Sequence, residues 1–203
     1  MDRIVALLAA SSFAFASDTV SAFGLTWDVP IAADWKIDGG ELHLLVPRPS
    51  TQPRRPTQYA LARTAPLGKL ALEFEVKKEA ADARNRRTSV MVVYGWRDKD
   101  HFNYAHLSVD AARAQPVHNG IFHVYGGDRV RISSEDGPPT LSGERWQKVK
   151  LVYDASKGRV DVWVDGETSA SMRGVDLSLG AGRFGIGSFF DMGSFRNLRY
   201  SGE

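Results

Sequence analysis

The chain has 203 residues, of which 43% are hydrophobic and 25% charged, so it can bury a core without a metal or disulfide staple. Its formal net charge is only +2, which argues against a nucleic-acid-binding surface, because such a surface concentrates basic residues. It contains no cysteine, which excludes disulfides, thiolate zinc sites and thiol catalysis.

The N-terminus has the pattern of a secretion signal. Arg3 precedes an apolar run at residues 4–10, and residues 14–16 (AFA) form an A-x-A cleavage site. The apolar run is too short to span a bilayer, and a buried N-terminal helix is the alternative. We therefore expect a signal peptide at residues 1–16 and one exported domain, periplasmic or extracellular, at residues 17–203, with no membrane span.

From residue 41 onward the hydrophobic period is close to two, which is typical of β-strands. In residues 69–77 every second residue is apolar and is expected on a buried face: Leu70, Leu72, Phe74 and Val76. Further strands are predicted at residues 41–46, 89–96, 101–109, 120–125, 129–132, 146–154, 159–165, 182–189 and 194–200. This spacing predicts an all-β fold, a two-sheet antiparallel jelly-roll sandwich.

Two segments do not have a strand pattern. Residues 47–56 (PRPSTQPRRP) are rich in proline and arginine and are expected to form an exposed excursion. Residues 77–87 are dense in charge and alanine and are expected to form a loop or a single turn. The core of the second half is expected to contain Trp146, Val149, Leu151, Val162, Val164, Phe184, Ile186, Phe195 and Leu198.

Aromatic and histidine side chains recur at alternating positions on three consecutive predicted strands. Such rings stack on the apolar faces of sugars while their polar tips bond to hydroxyl groups. If these strands are neighbours, one face carries the rings and the other carries Met91 and Val93 into the core. The alternatives are that the rings pack in the core, or that consecutive strands belong to opposite sheets. The candidate ligand-binding residues are Tyr94, Trp96, Tyr104, His106, His118, Asn119 and His123.

Catalytic signatures are weak. The closely spaced carboxylate pair that a retaining glycosidase needs is absent, because Glu73 and Glu75 lie between Lys69 and Lys77 on a face expected to meet solvent. The histidines lack the spacing of a helical zinc site, and there is no G-x-S-x-G motif or phosphate-binding loop. Catalytic residues are therefore not assigned.

Several segments resemble the concanavalin A-like lectin/glucanase superfamily, which includes laminin-G-like domains. The hairpin and closing-strand patterns of that superfamily occur at residues 146–154, 158–166, 185–189 and 193–198. Residues 101–107 and 118–122 resemble more closely the bacterial secreted 3-keto-disaccharide hydrolase domain. The resemblance covers residues 27–200 and implies a concanavalin A-like fold, which hosts lectins, hydrolases and lyases alike.

The resemblance and the aromatic strands favour a secreted carbohydrate-binding domain with an oligo- or polysaccharide as its partner. The first alternative is a glycoside hydrolase or polysaccharide lyase that uses His106, His118 and Tyr104 in a groove, with Arg63 or Arg131 neutralising charge on the sugar. The second is a non-catalytic envelope or adhesion module. No cofactor is required by any of these interpretations.

Calcium is the one metal that the resemblance implies. Concanavalin-like sandwiches often hold it near the chain ends, where Asp28 and Asp191 are the available acids. The alternative is that Asp191 only caps the turn before Gly193.

Overall fold

The structure, a computed structural model, describes residues 18–49, 51–79 and 88–203. The predicted signal peptide and most of the 77–87 segment lie outside these residues. Within them the secondary structure is β, apart from one 3-10 turn at Ala32–Asp34. No helix among them has the length and apolarity needed to cross a membrane.

The described residues form fifteen strands. In chain order they are β1 Asp18–Ala22, β2 Leu25–Val29, β3 Trp35–Asp38, β4 Glu41–Leu44, β5 Gln58–Ala62, β6 Lys69–Glu79, β7 Ser89–Asp98, β8 His101–Ser108, β9 Gly120–Tyr125, β10 Val130–Arg131, β11 Gln147–Asp154, β12 Arg159–Val164, β13 Met172–Val175, β14 Arg183–Ser188 and β15 Met192–Gly202. The predicted strands all occur, with ends shifted by a few residues. Sequence periodicity missed β1, β2, β3, β5 and β13.

The strands pair antiparallel in two sheets. The eight-stranded sheet has the order β1-β2-β5-β14-β7-β8-β9-β10, and the seven-stranded sheet has the order β13-β12-β11-β6-β15-β4-β3. Consecutive strands β7, β8 and β9 are neighbours in one sheet, as the ligand hypothesis required. The predicted two-sheet antiparallel sandwich is therefore confirmed.

The main core lies between the sheets. The alternating residues of β6 face inward and are almost fully buried, opposite Val90 and Val92 of the eight-stranded sheet. Eight of the nine core residues predicted for the second half of the chain are buried. Trp146 is the exception, because it lies half-buried on the outer surface of the seven-stranded sheet with the Arg196 guanidinium 4.1 Å from its ring centre.

A second apolar cluster covers the outer face of the eight-stranded sheet. We call it the outer aromatic layer, and its buried members are Met91, Val93, Phe102, Tyr104, Phe122, Val124 and Phe189. The proline-rich segment, expected to be an exposed excursion, is tied to the turns at one end of this layer. The Arg129 N–H donates to the Arg54 carbonyl at 3.1 Å, and Arg55 pairs with Asp100. Pro56 of the same segment is buried.

Candidate functional site

The seven predicted ligand-binding residues do not share one face. Tyr94 points into the main core, where its ring centre is 4.8 Å from that of Tyr153. Trp96 lies on the outer face, because a bulge at Gly95, with φ +59°, shifts the register between Tyr94 and Asp98. The prediction that Tyr94 lies on the ligand-binding face of β7 was therefore wrong.

The other two expectations for β7 are also reversed. Met91 and Val93, expected in the core between the sheets, belong to the outer aromatic layer. Val90 and Val92 occupy the core positions instead. Both faces of β7 are covered, which explains why its residues are apolar at consecutive positions.

Tyr104 and His106 are on the outer face but are inaccessible to a ligand. They are 0% and 1% exposed. The Tyr104 hydroxyl accepts a hydrogen bond from Arg129 at 3.1 Å, and its ring stacks on Phe122 at 5.3 Å. Burial raises the pKa of Tyr104, and burial followed by the nearby Arg129 charge lowers that of His106. A groove formed by these side chains is absent from the described surface.

His118 and Asn119 are built into the fold beside His106. The His118 ring centre is 5.2 Å from that of His106, and its Nδ1 is 2.8 Å from an Asp110 carboxylate oxygen. The Asn119 amide oxygen accepts from the Thr140 hydroxyl at 2.5 Å. The Asn119 amide nitrogen donates to the Pro138 carbonyl at 2.8 Å. These bonds hold the loop that precedes β9, in which Asn119 itself adopts φ +45°.

His123 lies on the opposite face of β9 from the outer aromatic layer, which corrects its predicted position. Its Nδ1 is 2.8 Å from the Asn103 amide oxygen and 3.2 Å from an Asp176 carboxylate oxygen. The Asn103 amide nitrogen donates to the same Asp176 carboxylate at 2.8 Å. The predicted residues are therefore separated, and of the seven it is Trp96 that lines a cleft on the outer face of the sheet.

The two candidate calcium ligands cannot serve one ion. Asp28 accepts hydrogen bonds from Arg63 and Arg183, each at 2.6 Å. Asp191 accepts hydrogen bonds from the backbone N–H and hydroxyl of Ser89, at the start of β7. Arg183, which binds Asp28, pairs in register with Trp96 at the other end of that strand. No group of three or more histidine or acidic side chains suited to a metal occurs in the described ranges. A calcium ion bound by either acid stays a prediction.

The cleft beside Trp96 crosses four adjacent strands, β2, β5, β14 and β7, on the outer face of the eight-stranded sheet. Its volume is about 400 Å³. The apolar part of its lining includes Tyr59, Leu61, Trp96 and the prolines Pro30 and Pro56. The Trp96 indole N–H donates to the Tyr59 hydroxyl at 3.1 Å, which fixes the two rings relative to each other.

Cationic groups form much of the polar rim of this Trp96 cleft. The Arg183 guanidinium lies 5.3 Å from the Trp96 ring centre and is oriented by Asp28. Arg55 and Lys99 both pair with Asp100 at the β7–β8 turn. Sequence reasoning found Trp96 but missed Tyr59, Arg55 and Arg183. The concentration of arginine and proline at residues 47–56 was the available signal for Arg55.

This arrangement can bind a polar ring. Half-buried aromatic faces can stack on the apolar face of a ligand ring, and the arginine and threonine groups of the rim can donate to its oxygens. Asp28 is the one carboxylate among the residues that line the cleft, and two guanidinium groups already occupy it. The pair of carboxylates used by a classical glycosidase is therefore missing from this lining.

Comparisons with known proteins show the fold. No protein-family model and no curated protein matches this sequence. Among solved structures, carbohydrate-binding module CBM66 from Bacillus subtilis is 15% identical with a TM-score of 0.59, over 91% of this chain and 94% of that one. A Bacillus subtilis protein of unknown function with a galectin-like fold is 14% identical with a TM-score of 0.53, over 83% and 86%.

A third solved structure places the same fold inside a longer chain. The bifunctional GH43-CE protein of Bacteroides eggerthii is 10% identical with a TM-score of 0.58, over 90% of this chain and 24% of that one. At these identities the likeness is one of architecture. The chain is thus a lectin-like β-sandwich, which agrees with the concanavalin A-like fold expected from the sequence.

Proposed function

We propose that this chain is an exported carbohydrate-binding domain whose ligand contacts Trp96 and Tyr59 in the Trp96 cleft. The observation that carries the proposal is the half-buried Trp96–Tyr59 pair at the base of an open cleft with charged donors on its rim. Aromatic side chains of this kind provide stacking area at low conformational cost.

The size and chemistry of the cleft agree with a saccharide. Small-ligand sites are typically clefts of about 300–1,000 Å³ with an apolar lining and a few fixed polar groups. In the Trp96 cleft, Asp28 fixes Arg183 and Asp100 fixes Arg55, so these guanidinium groups lose little freedom when they donate to sugar hydroxyls.

Two of the structural neighbours support the same conclusion. One is itself a carbohydrate-binding module, and another carries this fold as a small part of a longer bifunctional protein. Holding a polysaccharide requires only a binding cleft of this kind.

Replacing Trp96 by alanine is expected to weaken glycan binding by at least about tenfold, because the stacking surface is lost while the fold remains. Calorimetric titration with neutral malto-, cello-, laminari- and xylo-oligosaccharides measures the effect. Trp146→Ala is the matched control, since Trp146 is also half-buried but lies on the opposite sheet. Circular dichroism checks that both variants fold.

The outcomes separate the three functions considered. Equal affinities of wild type and Trp96→Ala for a bound glycan would contradict the placement of the ligand. Product formation in the same mixtures would favour the alternative of a glycan-cleaving enzyme. A wild-type protein that binds no member of the panel would favour the envelope or adhesion module.

Export is the second part of the proposal, and it rests on the A-x-A pattern at residues 14–16. We expect the protein isolated from its own host to begin at Ser17 or within a few residues of it, in the periplasm or the medium. Mass spectrometry of the intact protein measures this directly. Recovery from the cytoplasm with Met1 retained would refute export.

A further inference from the structure

The outer face of the seven-stranded sheet carries a second, larger cleft. Its volume is about 630 Å³, and it crosses β12, β11, β6 and β15. Four of its side chains stand in one row across these strands, since Lys150 pairs in register with Trp163 and with Glu73, and Glu73 pairs with Arg199. We call this the Trp163 cleft. It lies on the opposite side of the sandwich from the Trp96 cleft.

In this row an aromatic ring lies next to three charged side chains. The Lys150 ammonium is 5.9 Å from the Trp163 ring centre and 3.8 Å from a Glu73 carboxylate oxygen. Arg199 donates to the other Glu73 oxygen through Nη2 at 2.7 Å and Nε at 3.1 Å. This hydrogen bonding lowers the pKa of Glu73, so a single ionised carboxylate is shared by two cations.

The neighbouring row adds Lys148, which forms no ion pair within 4.0 Å among the described residues. Lys148 stands next to Lys150 on the same face of β11, about 7 Å away along the strand. Glu75, which is opposite Lys148, is instead bonded to Arg196 at 2.8 Å. Cations are therefore in excess along this part of the cleft.

A distorted part of β15 forms the side of the Trp163 cleft opposite Trp163. The register of β15 shifts between Arg196 and Arg199, and Asn197 adopts φ +54°. A left-handed conformation at a residue other than glycine costs energy, and such residues cluster at binding sites. The bulge presents Asn197 to the cleft between the two arginines.

We propose that the Trp163 cleft binds an anionic glycan chain, one that carries carboxylate or sulfate groups. A sugar ring stacks on Trp163, and the acidic groups of the chain pair with Lys148, Lys150 and Arg199. Trp146 is on the same outer face, but two cations already lie over its ring, Arg196 at 4.1 Å and Lys77 at 5.4 Å from the ring centre. The cleft is separate from the Trp96 cleft and does not depend on the function proposed there.

Titration with two defined probes tests the proposal: hexagalacturonate, which is carboxylated, and a heparin hexasaccharide, which is sulfated. Wild type is expected to bind at least one of them, and Trp163→Ala and Lys148→Ala are each expected to weaken that binding by about tenfold. Lys148 is exposed, so its replacement leaves the fold intact. Binding is expected to weaken as NaCl rises from about 0.05 M to about 0.5 M, because salt screens exposed charges.

Trp146→Ala and Trp96→Ala are the controls, and both are expected to bind the anionic probe as wild type does. The inference is overturned if wild type binds neither probe, or if Trp163→Ala binds as well as wild type. Loss of the anionic probe in Trp96→Ala alone would move that ligand to the Trp96 cleft, which would overturn this inference and leave the proposed function standing.

Discussion

Replacing Phe195 by alanine is expected to lower the free energy of unfolding by about 3–5 kcal/mol, because a buried ring is removed and a cavity remains. Phe195 is fully buried in the main core, with its ring centre 6.2 Å from that of Phe74. It also lies on a central strand of the seven-stranded sheet, paired in register with Val76 and Leu42. Because β15 is held between β6 and β4, the side chains around Phe195 can move only partly into the cavity.

Denaturant unfolding followed by far-UV circular dichroism measures this loss. Leu177→Ala is the matched control, since Leu177 is 69% exposed and its truncation is expected to change stability by less than about 0.5 kcal/mol. Similar stabilities for Phe195→Ala and Leu177→Ala would mean that the core between the sheets is not packed as described.

The fold could be predicted because the long strands of the seven-stranded sheet have one covered face. β6 and β11 alternate between core and solvent, and their polar positions carry Glu73, Glu75, Lys148 and Lys150 on the outer surface. The strands that were missed are mostly short. β5 directly follows a proline-rich stretch, and β13 has four residues, one of them a glycine.

The candidate site was harder to predict because its strands have both faces covered. β7 is apolar at consecutive positions, so its period does not indicate which face meets the core. The bulge at Gly95 then changes the parity between Tyr94 and Trp96. A glycine within a strand is a recognised signal for a bulge, and it was the feature of the sequence that could have separated these two rings.

The polar part of the Trp96 cleft depends on contacts that are distant in sequence. Arg183 reaches the cleft because β14 lies between β5 and β7, and Arg55 reaches it because the proline-rich segment returns to the β7–β8 turn. Strand order and loop path are tertiary properties. A single sequence therefore identified the aromatic residue and not the arginines that surround it.

A buried histidine is expected to make the stability of this fold dependent on pH. His106 is 1% exposed, its ring nitrogens make no hydrogen bond of good geometry within the described structure, and the Val117 backbone is close enough to oppose the lowering of its pKa. The groups that face it are two arginines, Arg129 and Arg131, the ring of His118, which is paired with Asp110, and the aromatic rings of the outer layer. Burial first, and then the charge of Arg129, holds the pKa of His106 well below its usual range.

The sign of the effect follows from the two protonation states. In the native protein His106 stays neutral, whereas in the unfolded chain it binds a proton as the pH falls through about 6.5. The unfolded state then holds more protons, so the free energy of unfolding falls as the pH is lowered, by up to about 1.4 kcal/mol per pH unit. The contribution is fully present above the unfolded pKa and is lost progressively below it.

Replacing His106 by phenylalanine is expected to remove this dependence, since the ring is retained and the titrating group is not. Urea unfolding at about pH 7.5, 6.5, 5.5 and 5.0 measures the free energy for wild type and variant, and the wild-type curve is expected to fall more steeply below about pH 6.5. Tyr104→Phe is the control, because it changes the same buried cluster without removing the histidine, so its curve should run parallel to that of wild type. Parallel curves for wild type and His106→Phe would show that His106 is not held neutral in the native state.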